Sequence, residues 1–199
     1  MDTITICGAI CDVRHVLTVI LNAMLISCFA IVLISGVFLA FSYTPDGEMV
    51  PYSGSYTPLY GVPMSAAYAS ILETAFDVRG GLFMRQVHHG FSQALLVLMV
   101  LHAVAGRTVR QALTRIALLG LGALVLVVGY VLPDDLFSGT VAGKIPMSVW
   151  YGAHLLLALA VASVLVIAWR RTSAGRPRLW FVLVACLPLM LLPVVDPFL

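Results

Sequence analysis

His88 and His102 stand fourteen residues apart in one long apolar stretch. Fourteen residues is close to four helical turns, so both imidazoles leave the same helix face, roughly 21 Å apart along the axis. An imidazole inside a bilayer is costly unless something binds it. Two on one face, near opposite membrane surfaces, point to axial ligation of haem iron; two helix histidines hydrogen-bonded to neighbours are the plainer reading. A ligand needs an opposite partner. His154 stands near the same depth as His88 on a later apolar stretch, where the two could grip one haem from opposite sides. Iron held between two imidazoles is low-spin and suits electron transfer rather than ligand binding.

The elements that must carry these residues follow from composition. Of the 199 residues, 61% are hydrophobic and only 10% charged, and the mean hydropathy is +1.05. Soluble domains average about 25% charged residues, so the chain reads as an all-α integral membrane protein. Spanning needs about 20 apolar residues. Four stretches qualify, near Val16–Tyr43, Leu82–Ala105, Ile116–Leu132 and Val149–Trp169. A fifth, near Leu179–Val194, is shorter and broken by Pro188 and Pro193, and is expected to span as well. The first stretch is too long and too late for a signal peptide. The expected organisation is an amphipathic lead-in over 1–15, a four-helix bundle over 16–170 and a further C-terminal span within 171–199.

The basic residues predict orientation. With the N-terminus in the cytoplasm, Arg14, Arg107, Arg110, Arg115, Arg170, Arg171, Arg176 and Arg178 lie inside, and Arg79, Arg85 and Lys144 outside. That asymmetry fits the positive-inside rule. The outer connections are the long ones. Residues 44–80 begin turn-rich, and near Met64–Phe76 carry a helical pattern in which Ala67, Ile71, Leu72 and Ala75 are placed to lie flat on the membrane. Arg79-Gly80-Gly81 breaks that helix before the second span. Chemistry is therefore expected on the outer side, where loops are elaborate.

The cysteines, Cys7, Cys11, Cys28 and Cys186, form no CxxC or CxxCH, so covalent haem attachment has no motif. Cys28 and Cys186 read as small packing residues. Cys7, Cys11 and His15 share one helical stripe but lack a fourth ligand for zinc. Gly36 and Gly129 fall at the depth of His88 and His154 on the two spans that carry no ligand. Missing side chains there would let backbone approach a porphyrin, although glycine is also common wherever membrane helices pack closely. His89 is turned about 100° from His88 and is not expected to ligate.

Several of these segments resemble the N-terminal, haem-binding half of cytochrome b of quinol–cytochrome c oxidoreductases, including the shorter chloroplast-type version. The resemblance rests on SGVFLAFSYTPD (Ser35–Asp46), on AYASI and DVRGGLFMRQVH between Ala67 and His88, on the His88–His102 pair, on GYVLP (Gly129–Pro133) and on WYGAH (Trp150–His154). It covers about residues 20–170. It implies that His88 and His154 ligate haem b near the outer face and that Arg85 pairs with a propionate, as a guanidinium can do in bidentate fashion. A plain interfacial anchor is the alternative for Arg85.

The departures from the pattern fall at one depth. The family's inner haem uses His102 with a histidine thirteen or fourteen residues beyond His154, where this chain has Ala168 and Trp169. The family's inner glycines correspond to Asn22 and Arg115. One haem is therefore expected, near the outer face. His102 is left either as a core histidine or as the lone ligand of a five-coordinate haem. The family's C-terminal half, with its Pro-Glu-Trp-Tyr quinol-site motif, has no counterpart in these residues. What the resemblance implies is a non-autonomous electron-transfer subunit that exchanges electrons with quinol or quinone, or with an outer-side redox protein. Its partners would be other membrane subunits and lipid, with no nucleic acid. A scaffold subunit holding haem structurally without quinol turnover is the alternative; a b-type dehydrogenase anchor ranks behind both.

Overall fold

The computed structural model describes the backbone of residues 3–105, 109–133 and 144–171, and the side chains of 16–105, 111–133 and 144–170. The side chains of Cys7, Cys11 and His15, the fifth span near 179–194, and Cys186 lie outside the described residues. Among the described residues five α-helices carry the fold: α1 (Thr3–Ala40), α2 (Ala66–Phe76), α3 (Gly81–Val104), α4 (Val109–Val131) and α5 (Met147–Arg171). Four contain apolar segments long enough to cross a bilayer, at Val16–Ala40, Gly81–Val104, Gln111–Val131 and Met147–Arg170. The chain is an integral membrane protein with an all-α bundle, as its composition predicts.

Two boundaries differ from the sequence expectation. The residues of the expected lead-in run without a break into the first span, α1 being one helix of 38 residues from Thr3. With no glycine or proline from Ala9 to Ser35, nothing in that stretch interrupts it. Helix α4 begins at Val109, a turn or more before the apolar run that signals it. Polar residues at a membrane boundary extend a helix without extending its hydropathy.

Helix α1 packs on α3, α3 on α4, α4 on α5, and α5 returns to α1. This cyclic order puts α3 and α5 on one diagonal and α1 and α4 on the other. The interior holds Leu25, Cys28, Phe91, Leu95, Leu98, Met99, Leu118, Val161 and Leu165. Cys28 is fully buried and its thiol donates to the Phe91 carbonyl at 3.3 Å, fitting a packing role. The outside is as apolar as the inside: Ile34, Val97, Val104, Leu113, Leu156 and Leu159 are all largely exposed. Lipid, not water, is the solvent such a surface matches. Hydroxyls in the spans satisfy themselves on their own helices, Ser35 on Ile31 O and Val32 O, Ser92 on His88 O, Ser163 on Leu159 O.

The long connection between α1 and α3 is built, not loose. A two-stranded antiparallel ribbon pairs β1 (Met49–Pro51) with β2 (Pro63–Ser65). Tyr52 turns inward beneath it, 1% exposed, against Met64, Ala69 and Leu72. Ser65 caps α2 by accepting from Tyr68 N at 3.2 Å. Ala67 and Leu72, two of the residues expected to face lipid, are buried: the apolar side of α2 is turned toward the ribbon and α3. Gly80, at φ +79°, lets the chain reverse into α3.

Gly81 is pressed against α2. A Cβ there would overlap the Thr74 carbonyl oxygen. Gly81→Ala should destabilise the full chain in detergent by about 1–3 kcal/mol, the usual cost of overpacking. Gly120→Ala, which meets open space, should be neutral or gain up to about 1 kcal/mol. Thermal unfolding followed by helical circular dichroism reads both; equal melting temperatures for the two variants would contradict the tight α2–α3 seam.

Candidate metal centre

Helix periodicity delivers His88 from α3 and His154 from α5 into the same interior space. Their ring centres stand 6.4 Å apart with planes inclined at 62°. Both are partly buried. The Nδ1 of His88 lies 3.0 Å from Val32 O and 3.2 Å from Ser35 Oγ, both on α1. The Nδ1 of His154 lies 3.1 Å from Val125 O on α4. A carbonyl oxygen only accepts, so each Nδ1 must donate. In the neutral ring Nε2 then carries the free lone pair. Neither Nε2 makes a hydrogen bond with a described residue. Each histidine is thus oriented from behind, with its tautomer set, by the helix beside it in the cycle.

The two carbonyls are accessible because the neighbouring helices come close, and the glycines explain how. A Cβ on Gly36 would stand 2.9 Å from His88 Cε1, and one on Gly129 would stand 3.0 Å from His154 Cε1. Porphyrin clearance is the role expected of these glycines; what the structure seats directly against each is an imidazole. Gly36 lies one turn beyond Val32 and Gly129 one turn beyond Val125. On each helix, therefore, one residue holds the ring by its carbonyl and the next turn makes room for it.

Between the rings opens a cavity of about 260 Å³. Its wall is mostly apolar, with Phe29, Val32, Leu95, Val125, Leu126 and Val161 among its residues. Arg85, one turn before His88, lines it too, half-buried and without a carboxylate partner among the described residues. Ile71 and Thr74 of α2 reach the same space. Met99 lines it as well; its sulfur lies where Gly122 lacks a side chain, and it is 1% exposed.

The arrangement can hold one metal through two nitrogens. A nitrogen–metal bond runs about 2.0–2.1 Å and a ring centre sits about 1.15 Å behind its nitrogen, so two imidazoles that held one metal from opposite sides would have centres about 6.3–6.5 Å apart. The observed separation falls in that range. Among the described residues no cluster of three His, Cys, Asp or Glu side chains occurs. Two donors alone suit a metal that brings its own equatorial ligands.

Not all singled-out histidines join this centre. His89 lines the same cavity but packs edge-on against Tyr130, ring centres 5.2 Å apart, beside a hydrogen bond from Gln93 Nε2 to Tyr130 Oη of 2.9 Å. His102 lies far down α3, buried, its Nδ1 without a hydrogen-bond partner. Ser35, Val32 and Val125 contact the two imidazoles, and residue type does not announce that role. Only Ser35 carries a side-chain signal, standing one residue before Gly36.

No family model matches the chain. Curated relatives do. It is 44% identical over 120 residues to the cytochrome bc1 complex cytochrome b subunit of Streptomyces coelicolor, a match covering 56% of this chain and 22% of that protein. It is 40% identical over 128 residues to the subunit of the same name from Corynebacterium efficiens (60% and 24%), and 39% identical over 131 residues to that of Mycobacterium tuberculosis (60% and 23%). The matched region spans less than a quarter of the length of these relatives. The resemblance to cytochrome b read from its motifs is borne out.

The seating of the rings is testable without any cofactor. Gly129→Val would push branched carbons into the His154 imidazole, and should destabilise the chain by about 1–3 kcal/mol. Calorimetric unfolding in detergent measures it; a Gly129→Val melting temperature equal to that of the unaltered chain would contradict the seating.

Proposed function

We propose that the chain is a haem b-containing membrane subunit of an electron-transfer complex, with the haem iron held between His88 Nε2 and His154 Nε2. The observation that carries this reading is the pair of imidazoles 6.4 Å apart, each tied at Nδ1 to a backbone carbonyl. Ligating histidines characteristically donate their other nitrogen in this way, which orients the ring and raises its basicity. The relatives, named cytochrome b subunits of bc1 complexes, support the same cofactor.

The haem would supply one-electron redox chemistry. The protein supplies the rest. Two fixed nitrogen donors favour a low-spin iron that changes charge with little rearrangement. Apolar walls keep the site dry, so that charges nearby act strongly. Arg85 presents a guanidinium suited to a propionate carboxylate, and the pairing would neutralise both in a low-dielectric setting. Gly36 and Gly129 leave open the space that the two rings occupy.

The basic residues favour an outer position for the His88 end of the bundle and a cytoplasmic N-terminus. Electrons would then be exchanged near the outer face, between quinol or quinone and an outer-side redox protein. Other membrane subunits would complete the complex, in keeping with relatives that are themselves named as subunits of one.

Purified full-length protein should show a low-spin haem b absorption spectrum. His88→Ala and His154→Ala should each abolish it, because one imidazole alone leaves an open axial position. An unchanged low-spin spectrum in either variant would overturn the assignment. Arg85→Gln should keep the spectrum but weaken haem retention. Losing a charge-assisted contact of roughly 1.5–3 kcal/mol corresponds to about 10- to 150-fold. Haem transfer to an acceptor apoprotein reads this; equal transfer rates would remove Arg85 from the site.

A further inference from the structure

The upper centre is made of four residues, one from each spanning helix: Gly36, His88, Gly129 and His154. A step of fourteen residues toward the other end of the membrane leads to Asn22 on α1, His102 on α3, Arg115 on α4 and Ala168 on α5. The step runs backward along α1 and α4 and forward along α3 and α5, because neighbours in the cycle alternate in direction. These four counterparts meet. Asn22, His102 and Ala168 line one small cavity together with Trp169, and Arg115 Nη1 donates to the His102 carbonyl at 2.9 Å. The bundle therefore has a lower level in the same register as the upper one, and three of its four positions carry a different residue type.

The consequences are steric as well as chemical. The lower cavity measures about 20 Å³, against about 260 Å³ above. About 10–15 Å³ of such volume is enough for a single water, so the space is water-sized. Where the upper level has glycine at the α4 position, the lower has arginine, employed as a cap on the last turn of α3 and well placed against that helix's negative end. Where the upper level has a second imidazole, the lower has the methyl of Ala168. The layer between the levels is filled by Leu25, Leu98, Met99, Leu118 and Leu165, all buried. His102 Nδ1 is left buried with no partner, an arrangement that one water in that cavity would satisfy.

From this we infer that the lower level is closed to a porphyrin and holds a single water against His102, so that the chain binds haem at one level only. The inference extends the proposed function but does not depend on it: an upper site without haem would leave the lower one just as closed. Electrons entering at the outer face then have no second haem in this chain by which to reach the inner face. Any crossing would need a cofactor held outside these four helices.

The test is a haem count on full-length protein expressed with excess haem and purified in mild detergent. At most one haem b per polypeptide is expected, by pyridine haemochromogen against amino-acid analysis. A value near two, with both haems low-spin, would overturn the inference. A value of zero would keep the lower level closed while removing the outer assignment, so the two readings fail separately. The double variant His88→Leu/His154→Leu isolates the lower level. It should carry no haem b absorbance, and a retained haem spectrum that is lost on adding His102→Leu would overturn the inference even if the unaltered chain counted one.

Discussion

The interior of this bundle is organised by two hydrogen bonds that each join an imidazole to a backbone carbonyl of a neighbouring helix. His88 Nδ1 meets Val32 O and His154 Nδ1 meets Val125 O. Helical carbonyls normally point along their own axis to the residue four ahead. For a side chain of another helix to reach one, the axes must approach closely, and that needs a position without a side chain beside the ring. Gly36 and Gly129 provide it. The hydrogen bond, the glycine and the helix spacing are thus one constraint, met twice, on opposite sides of the bundle. Its product is a pair of rings whose second nitrogens are free of hydrogen bonds with described residues.

The same register makes the molecule lopsided. At one end four residues build an open, apolar cavity with an arginine on its wall that meets no described carboxylate. Four turns away their counterparts build a closed joint with a capped helix end. Both ends use one histidine of α3 in the same rotational phase, and what separates them lies on the other three helices. A long helix with period near 3.6 can carry two equivalent positions fourteen residues apart, but it is the partners that decide whether each position becomes a site.

Much of this was legible in the chain because membrane helices simplify the reading. Apolar length gave the four spans, and helical phase put His88, His154, Gly36 and Gly129 at one depth. The backbone acceptors were not legible, since any residue can stand at Val32 or Val125 and still offer a carbonyl. The β-ribbon was hidden as well. Its strands are three residues long and contain Pro51 and Pro63, residues that ordinarily argue against a strand and are tolerated only at edges. Helix α2 was placed correctly, but its apolar face was assigned to lipid. An amphipathic stripe alone does not say whether membrane or protein covers it, and here Tyr52 and its neighbours do. Where α1 starts was not legible, because hydropathy marks where a helix meets lipid and is silent about where the helix begins.

The central claim is that His88 and His154 jointly coordinate one iron. Low-temperature electron paramagnetic resonance of the oxidised full-length protein tests it most directly, because spin state reports how many strong axial donors the iron has. A single low-spin ferric species, from iron with a nitrogen on each side, is the result predicted. A predominantly high-spin ferric signal, the mark of iron with one axial position open, would contradict it.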